Sequence, residues 1–167
     1  ILDHHSSTKG EESLFMYMAW QNVHGPMDMV EEHYWDSSGT DKKVLAKIRE
    51  IPDDTRRHFA SLLVQLDNSI ESVVAKVNDT IGTDRTLFLY ASDNGGCKDA
   101  GGYNTPLRGG KHWLFEGGVR VPAFMSSAFF AEHVKGRTYS GLFHVTDWLA
   151  TIMGVIETKS STSTSDI

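Results

Sequence analysis

Residues 86–120 read TLFLYASDNGGCKDAGGYNTPLRGGKHWLFEGGVR. The first five, Thr86–Tyr90, are of β type and run directly into Ala91-Ser92-Asp93. From Asp93 to Arg120 the chain carries four Gly-Gly doublets, which hold eight of its fifteen glycines. Glycine is used where the backbone must take a positive φ or approach another group closely. The pattern therefore predicts a strand that empties into a long loop laid around a site. Asp93 and Asn94 place adjacent side-chain oxygens at the start of that loop, ligands suited to a hard cation such as calcium or magnesium. Lys98, Arg108, Lys111 and Arg120 outnumber Asp93, Asp99 and Glu116 there, although the whole chain has a net charge of −6. A locally cationic loop in an acidic chain is a place for an anion.

Upstream, Arg57 to Asn78 places Phe59, Leu62, Leu63, Leu66, Ile70, Val73, Val74 and Val77 on one face at helical spacing. Asp53, Asp54 or Thr55 caps its start, and Asp67 beside the stripe reads as a solvated helix acid. Residues 13–21, SLFMYMAWQ, are almost continuously apolar, as in a strand buried on both faces. That run stops at Asn22-Val23-His24-Gly25-Pro26, a turn. Strand, helix and strand form a βαβ unit, so a mostly parallel sheet with helices on its faces is expected. His24 and Asp93 then both lie just past the carboxyl end of a strand, the edge where open α/β sheets bind ligands. Val44–Arg49 reads as a short helix, residues 36–39 as loop and residues 121–127 as a third strand. Thr146 or Asp147 caps a helix through Trp148, Leu149, Ile152 and Met153. The polar stretch from Glu157 to Ile167 has nothing to bury and is expected as a disordered tail.

At 167 residues with 40% hydrophobic residues, one globular domain is expected. No window is apolar enough to span a membrane, and no signal peptide is visible. A single cysteine, Cys97, excludes an internal disulfide framework. The acidic balance and the lack of a Lys/Arg run argue against nucleic acid. Asn78-Asp79-Thr80 is a glycosylation sequon at the polar end of the long helix.

Three motifs occur in order: Asp93-Asn94-Gly95-Gly96, Pro106-Leu107-Arg108-Gly109-Gly110-Lys111, and Glu116-Gly117-Gly118-Val119-Arg120-Val121-Pro122. Together they resemble the carboxyl-side metal and sulfate motifs of the type I sulfatase family, most closely its arylsulfatase B-type members. The resemblance also takes in Phe15–Ala19, His24-Gly25-Pro26, the helix from Arg57 and His144–Leu149, and covers residues 13–155. It implies an alkaline-phosphatase-like α/β fold, a sulfate ester substrate (aryl or sugar, including glycosaminoglycan sugars), calcium, and a secreted or lysosomal location. Residue by residue, it implies that Asp93 and Asn94 are the late calcium ligands. Lys111 contacts the sulfate and its bridging oxygen, and His24 binds the ester and protonates the leaving alcohol. Arg108, Glu116 and Arg120 read as structural, with Glu116 and Arg120 as an ion pair. His112 reads as an exposed neighbour of Lys111, and His144 and Asp147 as cap and packing residues.

The sequence also departs from the family. Its members make a formylglycine nucleophile from the cysteine of a Cys-x-Pro-Ser-Arg motif, whereas Cys97 is followed by Lys98-Asp99-Ala100. The early Asp-Asp metal pair, the Lys and His that follow the nucleophile, and the terminal antiparallel sub-domain have no counterpart here. Residues 36–55 are longer than the arylsulfatase B pattern. Residues 1–156 therefore read as an incomplete catalytic domain, its second half, followed by the tail at 157–167. The missing amino-side half is the implied partner, and the chain in isolation is expected to be inactive. The alternative is a catalytically inactive sulfatase-like binding or structural protein. A phosphoesterase of the same superfamily fits less well, since those relatives use metal sets rich in Asp and His. Upstream coding sequence containing Cys-x-Pro-Ser-Arg and an Asp-Asp pair separates the first two.

Overall fold

The structure, a computed structural model, describes residues 1–8, 12–25 and 39–162. Pro26, residues 36–38 of the expected loop and residues 163–167 of the expected tail lie outside the described residues. The chain divides into two compact units, Ile1–Phe130 and Ala131–Ile167.

In the first unit, helices α1 (Leu2–Thr8) and α2 (Lys42–Arg49) pack on the long helix α3 (Asp54–Thr80). Asp53 caps α3, its carboxylate accepting from the Arg56 N–H at 2.7 Å. Asp41 caps α2 in the same way through Lys43. Such caps satisfy N–H groups that a helix start leaves without partners. Ile48, Leu66 and Val77 are the buried hydrophobic side chains among the described residues, and all three lie on α2 and α3. Asn68 of α3 donates to the Thr40 hydroxyl at 2.7 Å, and Ser6 of α1 to the Thr80 carbonyl at 2.9 Å. Lys76 pairs with Asp3.

The sheet differs from the one expected. Strand β1 (Phe88–Ala91) pairs with β2 (Ala123–Ser126), and the pairing is antiparallel. Tyr90 stands opposite Phe124, their rings stacked 5.0 Å apart. Beyond each end of the ladder, Ser92 N–H donates to the Pro122 carbonyl at 3.1 Å and the Ser127 hydroxyl to the Thr86 carbonyl at 2.6 Å. The expected parallel pairing of residues 13–20 with 86–91 does not form. Residues 13–20 hold no regular secondary structure and are exposed, Phe15 at 68% and Tyr17 at 83%. A strand exists through its ladder, and among the described residues no backbone partner meets this run. The antiparallel outcome follows from the loop between Ser92 and Pro122, which folds back on itself and returns the chain beside β1 in reverse. An antiparallel return needs no helical crossover.

In the second unit, helix α4 (Asp147–Thr162) follows a turn in which the Asp147 carboxylate accepts from the His144 N–H at 2.7 Å. Phe143 meets Trp148 edge to face at 4.6 Å. This helix continues through residues 157–162, which were expected to be disordered. Extending a helix that has already formed adds a hydrogen bond for each residue ordered, whereas starting one does not, so the Ser/Thr stretch continues what the apolar turns begin.

Candidate active site

The loop from Ser92 to Pro122 is built by stacking its glycine doublets on one another. Of the eight doublet glycines only Gly101 and Gly109 have a positive φ. The others serve close approach of backbone to backbone. A Cβ on Gly95 would overlap the Gly117 carbonyl, and one on Gly96 would lie 2.9 Å from the Gly102 Cα. Gly95 N–H donates to the Gly118 carbonyl at 2.9 Å, Gly117 N–H to Arg108 at 2.8 Å and Lys111 N–H to Gly96 at 3.2 Å. The first, third and fourth doublets are thereby tied together, and Gly96 brings in the second through Gly102.

Two side chains complete this frame. Asn104 acts like a peptide group: its Oδ1 accepts from Gly96 N–H at 2.8 Å while its Nδ2 donates to Gly96 C=O at 2.8 Å and to Gly109 C=O at 3.3 Å. Arg56 anchors the frame to α3. Its guanidinium donates to the Gly101 carbonyl at 2.6 Å and lies between the rings of Phe59 and Tyr103, 5.1 and 5.2 Å from their centroids.

The expected site residues sit on this frame as follows. Asp93 lies two residues past the end of β1 and is exposed, and its carboxylate has no hydrogen bond or ion pair among the described residues. Asn94 is half-buried and donates its Nδ2 to the Gly95 carbonyl at 2.9 Å, which leaves Oδ1 without a partner among the described residues. Lys111 is half-buried, held by its backbone on Gly96, and its ammonium is likewise unpaired among the described residues. The neighbouring cations are engaged: Arg108 lies 3.9 Å over the Phe115 ring, and Arg120 pairs with Glu116 at 3.5 Å. Lys111 is followed by His112, which has φ 76 in the turn closed by the Trp113 N–H to Gly110 carbonyl bond of 3.0 Å. That turn position normally selects Gly or Asn, so His112 is strained beside Lys111.

His24 stands apart. It is exposed, closes a turn onto the Gln21 carbonyl at 2.8 Å, and its Nδ1 lies 2.8 Å from the Gly25 carbonyl. With residues 13–21 not forming a strand, the sheet-edge reason for joining His24 to Asp93 is removed. What links them is α3. Asn22 donates to the Leu62 carbonyl at 3.1 Å and the Gln65 Oε1 at 2.8 Å, so the His24 turn hangs on the helix that Arg56 joins to the glycine frame. Leu62 and Gln65 lie about 9–14 Å along the axis from Arg56, at 1.5 Å per residue. No hydrogen bond or ion pair connects His24 to Asp93, Asn94 or Lys111 among the described residues.

A cation site needs several converging oxygens. Among the described residues no three His, Cys, Asp or Glu side chains converge. Asp93 and the free Asn94 oxygen have the right donor chemistry for a hard cation, and they offer about three of the 6–8 oxygens that calcium takes.

Neither Asn104 nor Arg56 carries a signal of these roles in the sequence. Asn104 sits in Tyr103-Asn104-Thr105-Pro106, where the composition signals only a turn. Arg56 lies outside the motifs, in the first turn of the helix.

Comparison with known proteins identifies the family. The family described as Sulfatase matches residues 3–158. Arylsulfatase J of Mus musculus is 35% identical over 160 residues, which is 94% of this chain and 24% of that protein. N-acetylgalactosamine-6-sulfatase of Homo sapiens is 30% identical over 105 residues, or 60% of this chain and 20% of that protein. Arylsulfatase A of Homo sapiens is 31% identical over 100 residues, covering 58% of this chain and 19% of that protein. The chain thus spans about a quarter or less of the length of the relatives it matches. With a family match that runs over nearly all of its residues, the chain belongs to the sulfatase family.

Proposed function

We propose that this chain is part of a calcium-dependent sulfatase that hydrolyses aryl or sugar sulfate esters, glycosaminoglycan sugars among them. The observation that carries the reading is the set of three unused polar groups on one glycine frame: the Asp93 carboxylate, the Asn94 Oδ1 and the Lys111 ammonium. Charged and polar groups without partners, held on a frame this tightly stacked, are arranged for a ligand. Calcium, when bound by Asp93 and Asn94 with ligands from the amino-side half, supplies positive charge against the sulfate oxygens. Lys111 neutralises charge on the sulfate and on the bridging oxygen as the S–O bond breaks. His24 donates a proton to the departing alcohol oxygen. The nucleophile, a formylglycine in this reading, comes from outside this chain.

The test is a comparison of two variants in the full-length protein. Asp93→Asn weakens calcium binding, and raising calcium restores part of the turnover of nitrophenyl sulfate. Lys111→Ala lowers turnover with no restoration by calcium. The reading is wrong if Lys111→Ala is as active as the parent, or if residues 1–167 alone turn over an aryl sulfate.

We also place the protein on the secretory or lysosomal route. Among the described residues no helix is long and apolar enough to cross a membrane. Asn78 is exposed near the end of α3, open to a glycan. Intact mass of protein from its native source, before and after glycosidase treatment, shows the added sugar if this placement is right. An unmodified Asn78 counts against it.

A further inference from the structure

We infer that Asn104 is a positioning residue of the catalytic site: its amide locks the loop that carries Asp93 and Asn94 to the loop that carries Lys111. The inference rests on the sulfatase reading above. The two loops meet at one residue, Gly96. Gly96 lies two residues beyond Asn94, and its carbonyl accepts from both the Lys111 N–H at 3.2 Å and the Asn104 Nδ2 at 2.8 Å. A carbonyl oxygen has two lone pairs, so this one is fully used. Gly96 N–H is taken by the Asn104 Oδ1 at 2.8 Å, and the second Nδ2 proton reaches the Gly109 carbonyl at 3.3 Å, on the lysine loop. One side chain thereby uses one acceptor and two donors to hold both loops.

No other residue type of similar size reproduces this. Aspartate keeps the acceptor and loses both donors, setting a carboxylate against two carbonyl oxygens. Alanine leaves the Gly96 N–H without its acceptor. The close stacking around Gly96 and Gly110 also leaves no room for a longer side chain to take over: a Cβ on Gly110 would lie 2.6 Å from the Gly96 oxygen and 2.8 Å from Asn104 Nδ2. Asn104 itself touches no reacting atom. Its effect reaches the chemistry through the spacing between the Asp93–Asn94 oxygens and the Lys111 ammonium. That spacing matters because the metal ligands and the lysine must act on the same sulfate group.

The test uses the full-length protein and nitrophenyl sulfate, with Asn104→Asp, Asn104→Ala and the milder Asn104→Ser. Misplacement of catalytic groups by about 1 Å costs about 100-fold in turnover. We expect Asn104→Asp and Asn104→Ala to lower kcat about 100-fold while KM stays within about threefold, with the thermal transition retained. Asn104→Ser, whose hydroxyl serves one donor role and one acceptor role, is expected to fall between these and the parent. A merely structural role would lower the amount of folded protein and leave kcat per folded molecule unchanged, and that result overturns the inference. So does a failure of all three variants to fold, which makes Asn104 a fold residue. A parent protein with no turnover overturns the sulfatase reading and this inference together. An active parent sensitive to Lys111→Ala but indifferent to Asn104 overturns this inference alone.

Discussion

Arg56 reaches from the first turn of α3 to the Gly101 carbonyl at 2.6 Å, its guanidinium held between Phe59 and Tyr103. This is the one side-chain hydrogen bond from α3 to the glycine frame among the described residues, and it combines a charged donor with two aromatic faces. A charge-assisted bond of this kind is worth about 2 kcal/mol, and each ring adds about 0.5–1 kcal/mol. Arg56→Ala is expected to destabilise the full-length protein by about 3–4 kcal/mol in chemical denaturation. Arg56→Lys keeps a charged donor but should not recover the ring share, since an ammonium lacks the flat surface that stacks. A lysine variant as stable as the parent would show that flat stacking on the rings contributes nothing.

The glycine frame sets up a contrast between two Gly→Ala substitutions. At Gly95 a Cβ collides with the Gly117 carbonyl, whereas a Cβ at Gly154 on α4 meets nothing within 4 Å outside its own stretch of helix among the described residues. Gly95→Ala should separate the first doublet from the fourth and abolish activity. Gly154→Ala should stabilise α4 by about 1 kcal/mol, the helix propensity difference between the two residues. Thermal unfolding of both, run side by side with turnover, tests the pair; equal tolerance at the two positions contradicts the stacking.

His112 holds φ 76 immediately after Lys111. A left-handed conformation costs an L-residue about 1–2 kcal/mol, and glycine escapes that cost. His112→Gly should therefore be at least as stable as the parent. His112→Val, β-branched at the same φ, should be less stable than the parent. If both substitutions destabilise equally, the left-handed turn is not the source of the difference.

The role proposed for His24 depends on the leaving group. Nitrophenolate departs with little proton assistance, whereas a sugar alcohol needs it. His24→Ala should therefore cost more with a sugar sulfate than with nitrophenyl sulfate, by about 100-fold, the lower end of a general acid's contribution. Equal losses on both substrates would leave His24 a binding residue without an acid role.

Helix and strand positions were legible because their signals are local. The apolar stripe over residues 57–78 became α3 at 54–80, with Asp53 as the cap the sequence offered. Residues 86–90 and 121–127 became β1 and β2 at 88–91 and 123–126, and Val44–Arg49 fell inside α2. The motifs around Asp93, Lys111 and Glu116 were sufficient for the family, which the match over residues 3–158 bears out. The sheet was not legible, because apolar composition shows that a strand seeks neighbours without saying which ones. Residues 13–21 have the composition of a central strand and form no ladder here, while β1 pairs with β2 across the loop between them. The purpose of the glycines was also decided in three dimensions. Six of the eight doublet glycines have no positive φ, and the reason for them is the backbone lying against each, from residues up to about twenty positions away. The same holds for Asn104: its identity marks a turn, and its function comes from the Gly96 and Gly109 peptides that the folded loop brings within reach of one amide.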